Sequence, residues 1–207
     1  MKFKRLQNVA MSISYITHPM MMPLWATICV VLANPYIFAS SNPIAVYWML
    51  ASVFINFIAF PALAILLMLR LKLVTTVQMT EGIERVLPFI ATGLFYVWGY
   101  VVVKNMDGVP IWMSKPLLGA CIALFVAFFI NIFTKISIHC VGMAGFVTVL
   151  ILINSVSTYS LLPFICLAVV LMGIVGSARY ILHAHTISQI MFGYVIGVLS
   201  QVIAFSI

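Results

Sequence analysis

The chain has 207 residues, of which 65% are hydrophobic and 6% charged, and ten Lys and Arg against three Asp and Glu give a net charge of +7. A soluble domain carries about 25% charged residues, and a soluble fold of this length could not cover so much apolar surface. The composition therefore excludes a soluble enzyme, a DNA-binding protein and a disulfide-stapled domain. The four widely scattered cysteines lie in apolar stretches and are expected to be buried free thiols.

Long charge-free stretches predict several membrane-spanning helices. Asp, Glu, Lys and Arg are absent from 6–69, 86–103, 116–134, 136–178 and 180–207, and about 20 apolar residues suffice for one helical crossing. With Pro, Asn, Ser and Gly turn signals as breaks, we expect helices near 9–33, 44–70, 86–104, 113–134, 138–154, 161–179 and 187–206. The predicted fold is all-α: a polytopic bundle of about seven helices in a single membrane domain over 1–207.

Counting crossings brings three polar segments to one membrane face. If the N-terminal end lies on side A, segments 70–85, 135–139 and 179–189 all return to side A, whereas Lys104, Asp107 and Lys115 fall on side B. Further basic residues of side A are Lys2, Lys4, Arg5, Arg70 and Lys72. Since cytoplasmic loops carry an excess of Lys and Arg, we expect side A to be cytoplasmic, in a bacterial inner membrane.

The third polar segment carries the most informative chemistry. Arg179, His183 and His185 stand at a helix boundary, and ionisable residues in membrane segments are functional candidates by default. Arginine binds phosphate through its planar fork, and histidine acts as nucleophile or proton carrier near neutral pH. The plain alternative is an interfacial turn whose side chains extend toward the headgroups. His183 is better explained as such a boundary residue.

The other two segments add further groups of the same kind. In the second, Ser137 can donate to an anionic oxygen and His139 can protonate a leaving group; a simple turn between helices is the alternative. In the first, Arg85 precedes a predicted helix, where helix capping or topology is the alternative. Two Arg, one Lys, one Ser and up to three His on one face favour an anion site beside the lipid headgroups. Nothing resembles a nucleic-acid-binding basic stripe.

At these residues the sequence resembles the type 2 phosphatidic acid phosphatase superfamily, a family of integral membrane lipid phosphatases. The family signatures are Lys-x6-Arg-Pro, Pro-Ser-Gly-His and Ser-Arg-x5-His-x3-Asp, in that order. Arg179, His185 and Gln189 have the spacing of the third signature and are followed by Gly193 and Gly197 in an apolar helix.

The first two signatures are matched in part, and the resemblance covers about 70–200. Residues 136–139 read Ile-Ser-Ile-His where the family has Pro-Ser-Gly-His. Arg85 stands with Pro88 three residues on, and Gln78 occupies the position of the family lysine. We interpret Lys135, one turn before His139, as a compensating charge for the phosphate.

The resemblance implies a role for each matched residue. His185 would attack phosphorus and carry a phosphohistidine, and His139 would protonate the departing lipid oxygen. Arg85, Arg179 and the Ser137 hydroxyl would hold the non-bridging oxygens. The resemblance implies no metal and no cofactor. Its substrate would be a membrane phospholipid or a polyprenyl phosphate or diphosphate, and the oligomeric state stays open.

Two departures from the family pattern bear on turnover. The family Asp that orients the nucleophilic histidine is Gln189, and the Ser before the arginine is Ala178. The amide oxygen of Gln189 can still accept from the histidine ring, but it cannot stabilise an imidazolium as a carboxylate does. A catalytically degenerate relative that binds or moves phospholipid is therefore the alternative to a phosphatase.

A small transporter is a third reading, with Asn56, Asn131 and Asn154 as the main mid-helix polar residues. Near the N-terminus, His18 precedes Pro19 in an otherwise apolar stretch. This pattern predicts a kinked or flexible segment, near a lipid entrance or within the packed core.

Overall fold

The computed structural model describes residues 2–35, 43–75, 85–157 and 159–207, and every regular element in these ranges is helical. The helices are α1 (Lys2–Ile16), α2 (Met22–Ala33), α3 (Pro43–Phe54), α4 (Phe60–Arg70), α5 (Val86–Lys104), α6 (Lys115–Phe133), α7 (Ile138–Asn154), α8 (Leu162–Ile181) and α9 (Ile187–Ser206).

Six segments of the described ranges are long and apolar enough to cross a membrane, and α7 is a shorter apolar helix. The six segments are Lys4–Ala33, Ile44–Arg70, Val86–Lys104, Ile111–Phe133, Leu162–Ile181 and Ile187–Ser206. Together with α7 they correspond to the seven predicted helices, with bounds shifted by a few residues. The predicted all-α polytopic bundle is thus confirmed, and the chain is an integral membrane protein.

The first predicted helix is broken, and proline chemistry explains the break. A 3₁₀ turn over Pro19–Met21 joins α1 to α2. His18 leaves the helical region with φ −59° and ψ 135°, and its Nδ1 accepts from the Met20 N–H at 3.4 Å. Proline has no N–H to continue the ladder and disfavours helical geometry in the residue before it. The predicted kink therefore separates two helices.

Helix α7 lies at the centre of the bundle, where it packs against α2, α6, α8 and α9. Cys140 and Leu150 on α7 are fully buried. Its 17 residues span about 25 Å, a little less than the roughly 30 Å hydrocarbon core. The first turn of α7, which carries His139, therefore begins near the hydrocarbon boundary.

Helix α9 approaches α7 more closely than ordinary side chains permit. A Cβ at Gly193 would lie 2.9 Å from the Ser137 carbonyl oxygen. A Cβ at Gly197 would meet the Val141 carbonyl oxygen and lie 2.9 Å from the Gly145 amide nitrogen. Small residues four positions apart are the usual means by which membrane helices approach backbone to backbone. This contact fixes the first turn of α9 relative to the first turn of α7.

We expect Gly197→Ala to lower the free energy of unfolding by about 1–3 kcal/mol, because the added methyl meets backbone atoms that can move only with the helix. The matched control is Gly173→Ala on α8, where nothing lies within 4 Å of the new Cβ and alanine is the better helix former. Thermal unfolding in detergent measures both. Equal midpoints for the two variants would contradict the close helix contact.

Candidate functional site

Backbone hydrogen bonds fix the end of α8, which carries Arg179 in its last turn. His183 N–H donates to the Tyr180 carbonyl at 2.9 Å, and Ala184 N–H donates to the Arg179 carbonyl at 3.2 Å. This is a Schellman pair, which requires a left-handed residue just beyond the helix. His183 fills that position with φ 52°, and histidine is one of the non-glycine residues enriched there. A conformational role thus accounts for His183.

A capping box starts α9 five residues later. Gln189 N–H donates to Thr186 Oγ1 at 3.4 Å, and Thr186 N–H donates to Gln189 Oε1 at 3.1 Å. The Thr-x-x-Gln sequence is the usual pattern for such reciprocal bonds. The turn between α8 and α9 is therefore fixed at both ends, and it presents His185 from a defined backbone.

Gln189 also orients His185. The Gln189 Oε1 lies 3.3 Å from His185 Nδ1, and an amide oxygen can only accept a hydrogen bond. Nδ1 therefore carries the ring proton, and Nε2 keeps the lone pair that a nucleophile needs. Gln189 thus provides the geometry of an orienting carboxylate without its charge.

The charge state of His185 also suits nucleophilic attack. Burial lowers the pKa of His185 from its ordinary 6.5 to about 4, and the positive charges of Arg179, Arg85 and Lys135 act in the same direction. The hydrogen bond that His185 Nδ1 donates to Gln189 Oε1 opposes this shift. At neutral pH the imidazole is therefore uncharged.

His139 and Arg179 both form hydrogen bonds with Ser14 of α1. His139 Nε2 lies 3.1 Å from the Ser14 carbonyl oxygen, which can only accept, so Nε2 carries the proton. Arg179 Nη1 donates to the Ser14 Oγ at 3.3 Å. Arg179 Nε is buried and has no partner among the described residues. The His18 ring stands edge-on to His139, with centroids 5.7 Å apart.

Arg85 and Lys135 border the same cavity from other elements. Arg85 precedes α5 and donates from Nη1 to Asn131 Oδ1 at 3.0 Å. Lys135 is exposed in the connection between α6 and α7. Both charges lower the pKa of His185, so their fields reach the predicted nucleophile.

Ser137 is fully buried at the position just before α7. Its Oγ has no hydrogen-bond partner among the described residues, and the close approach of Gly193 covers its carbonyl side. The predicted contact of Ser137 with a phosphate oxygen stays a prediction. Gln78, which stands at the family lysine position, lies outside the described residues.

A cavity of about 820 Å³ joins the polar cluster to the apolar interior. Its polar lining includes Arg85, Lys135, His139, Arg179, His183 and His185. Along α6 the lining runs from Ala127 to Pro116, eleven residues or about 16 Å of helix. The remaining walls are mostly apolar, as in pockets that bind hydrophobic ligands. The three polar segments therefore converge on one chamber with a long hydrophobic extension.

Two site neighbours, Ser14 and His18, were not among the predicted site residues. A histidine next to a proline in a charge-free stretch was the available signal for His18, because ionisable residues in membrane segments are seldom without a role. No sequence signal identifies Ser14, since its contacts with α7 and α8 depend on tertiary packing.

The three asparagines considered for a transport path each make at least one hydrogen bond. Asn56 Nδ2 donates to the Ser52 carbonyl at 2.9 Å, and Asn154 Oδ1 accepts from the Leu161 N–H at 2.7 Å. With Asn131 bonded to Arg85, the residues proposed for a transport path have structural tasks. In the part of the chain that the structure describes, no three His, Cys, Asp or Glu side chains cluster closely enough to hold a metal ion.

Comparison with protein-family models, curated proteins and solved structures gives no match. The assignment of this chain to a family therefore stays a hypothesis based on its motifs, and the function must be argued from the cavity itself.

We expect the His185 ring to stay neutral at pH 6 and to protonate near pH 4, because burial and neighbouring cations disfavour its charge. Gln189→Glu should raise the midpoint by about 1–3 units, since a carboxylate at hydrogen-bond distance favours the imidazolium. Histidine NMR titration in detergent measures both values, and loss of the signal in His185→Ala assigns it. A wild-type midpoint near 6.5 would contradict the buried environment of His185.

Proposed function

We propose that this protein is a membrane lipid phosphatase that hydrolyses a lipid phosphate or diphosphate through a phosphohistidine on His185. The supporting observation is the cavity itself, where two Arg, one Lys and several His lie at one end and apolar walls continue from them. A phosphorylated lipid has the same division, with an anionic head and a hydrophobic tail. The motif order of the sequence supports the same reaction.

In the first chemical step, the Nε2 lone pair of His185 would attack phosphorus. A P–N bond forms as the P–O bond to the lipid breaks, and the leaving oxygen takes a proton from the imidazolium form of His139, a charge that the bound phosphate anion would stabilise. Arg179 and Arg85 would stabilise the charge on the non-bridging oxygens. The hydrogen bond from His185 Nδ1–H to Gln189 Oε1 supports this assignment, because it leaves Nε2 unprotonated.

In the second step, water would attack phosphorus and release inorganic phosphate. His139, now neutral, would take the proton of that water, and the P–N bond would break to regenerate His185. The positive charges that each step requires come from arginine and lysine side chains of this chain.

Gln189 sets an expectation for the rate. The neutral amide cannot stabilise the imidazolium character that develops on His185 during attack. Replacing the corresponding aspartate by asparagine in serine proteases lowers the rate by about 10⁴. We therefore propose a slow phosphatase. The excess of basic residues on side A favours a cytoplasmic site in a bacterial inner membrane.

The alternative is a relative that binds or moves phospholipid without turnover. It is supported by Gln189 in place of a carboxylate and by the first signature, where Gln78 occupies the position of the family lysine. Both groups would be free to change in a protein that keeps only the anion site and the hydrophobic chamber.

We expect the purified protein in detergent to release inorganic phosphate from at least one member of a panel of phosphatidic acid, phosphatidylglycerophosphate and polyprenyl diphosphate, with EDTA present. His185→Ala should abolish release, and Arg179→Ala should reduce it by about 10²–10³, the usual loss for one oxyanion donor. His183→Gly is the matched control, because glycine suits its left-handed position. Phosphate release that survives His185→Ala would exclude the phosphohistidine.

Gln189→Glu distinguishes a slow enzyme from a binding protein. Glutamate keeps the length of the side chain and the capping box, and it adds the charge that stabilises an imidazolium. A slow phosphatase should gain at least tenfold in kcat, measured under saturating substrate. A protein inactive on the whole panel both before and after this substitution would be the non-catalytic relative.

A further inference from the structure

Helix α1 presents a narrow face of small residues to the rest of the protein. Ala10, Ser14 and Thr17 are buried, and their spacing places them on one side of a helix. Ile13 packs against the buried cluster formed by Met22, Met143 and Val175 of α8. Ser14 is thereby held against Arg179, the arginine at the end of α8.

The hydrogen bonds of Ser14 make it an acceptor toward the site. Its hydroxyl proton is donated to the Ala10 carbonyl at 3.0 Å, so the Oγ offers only lone pairs to Arg179. Its carbonyl is among the last four of α1, which have no partner within a helix, and it accepts from His139 Nε2 at 3.1 Å. Two oxygens of one residue thus take one donor each from Arg179 and His139.

We propose that Ser14 occupies the position of two phosphate oxygens, and that an oxyanion binds only when α1 moves away from Arg179 and His139. This inference rests on the anion site in the proposed function and adds its regulation. A phosphate group would present the same two acceptors with full negative charge. Helix α1 therefore competes with the head of the substrate for the same two donors.

The contact of Ser14 with Arg179 is weak enough to exchange. Charge-assisted N–H···O bonds are typically about 2.7–2.9 Å, whereas the Arg179 bond to Ser14 is 3.3 Å. Arg179 Nε is buried without a partner among the described residues. Ser14 thus leaves the guanidinium partly unsatisfied, and an anion that engages both nitrogens would bind it better.

The structure also contains a hinge at the end of α1 and an exposed face on α1 that suits the membrane surface. The helix ends before His18, whose backbone is not helical, so α1 can swing without unwinding the turn over Pro19–Met21 or α2. Leu6, Val9 and Ile16 are exposed on α1, as are Lys4 and Arg5. A helix with apolar and basic exposed residues lies well at the surface of an anionic membrane.

The expected effect follows from the linkage between the two positions of α1. The apparent dissociation constant for an anion equals the intrinsic constant divided by the fraction of molecules with α1 displaced. Ser14→Ala removes the hydroxyl acceptor and keeps the helix. We expect it to bind orthovanadate, a phosphate analogue, about three- to tenfold more tightly, since one hydrogen bond to a charged group no longer favours the closed position.

Ser12→Ala is the matched control. Ser12 is an exposed serine of the same helix, and its hydroxyl donates to the Asn8 carbonyl at 3.1 Å as that of Ser14 does to Ala10. Its vanadate affinity should equal that of the wild type. Arg179→Ala should remove vanadate binding, which identifies the site. Microscale thermophoresis of the full chain in detergent gives the four dissociation constants.

Hydrogen–deuterium exchange tests the motion without any substitution. Saturating vanadate should increase amide exchange in residues 8–17 of the wild-type protein and leave α7 unchanged. Protection of residues 8–17, or an affinity in Ser14→Ala equal to or weaker than that of the wild type, would overturn the proposal and make Ser14 a ligand or a bystander. Absence of Arg179-dependent vanadate binding would overturn it together with the anion site.

The phosphatase proposal can fail separately. Tighter vanadate binding in Ser14→Ala and release of α1, with no phosphate liberated from any lipid, would support the displacement of α1 in a protein that binds without turnover. Phosphate release with no difference between the Ser14 and Ser12 variants would support the phosphatase and exclude the role of α1.

Discussion

The close approach of α9 to α7 is the constraint on which the site depends. Gly193 and Gly197 let α9 lie against the backbone of α7, and the two histidines assigned to the reaction stand at the beginnings of these two helices. A wider separation would move His185 away from His139 without breaking a single hydrogen bond of either. Packing by small residues therefore determines a chemical distance, because lipid provides no hydrophobic force to hold helices together.

Gln189 connects local structure to chemistry. Its oxygen completes the capping box of α9 and accepts from His185, so the same side chain fixes the start of the helix and the orientation of the proposed nucleophile. The position of Arg179 is fixed in a similar way. It lies in the last turn of α8, and that turn is capped by backbone hydrogen bonds from the connection between α8 and α9. The polar end of the cavity is fixed by backbone hydrogen bonds on the α8–α9 side, and on the other side it is covered by α1 through Ser14.

Much of this arrangement could be predicted from the sequence. Gaps between charged residues give seven helices, and counting crossings brings Arg85, His139 and His185 to one face. The contacts of Ser14 could not be predicted, because a serine inside a helix carries no sequence signal for the tertiary partners of its oxygen atoms. The depth of the cavity could not be predicted either. It depends on which of the similar apolar helices pack against one another, and the sequence pattern does not specify those pairs.

The connection between α8 and α9 also determines helical phase. The connection runs from Leu182 to Thr186. Hydrogen bonds tie it to the end of α8 and to the start of α9, so it cannot absorb an extra residue without a change in the helices. One inserted residue would rotate α9 by about 100° about its axis. Phe192 and Ile196 would then take the places of Gly193 and Gly197 against α7, where even a Cβ has no room. The count of residues in this turn is therefore as important to the bundle as their chemical identity.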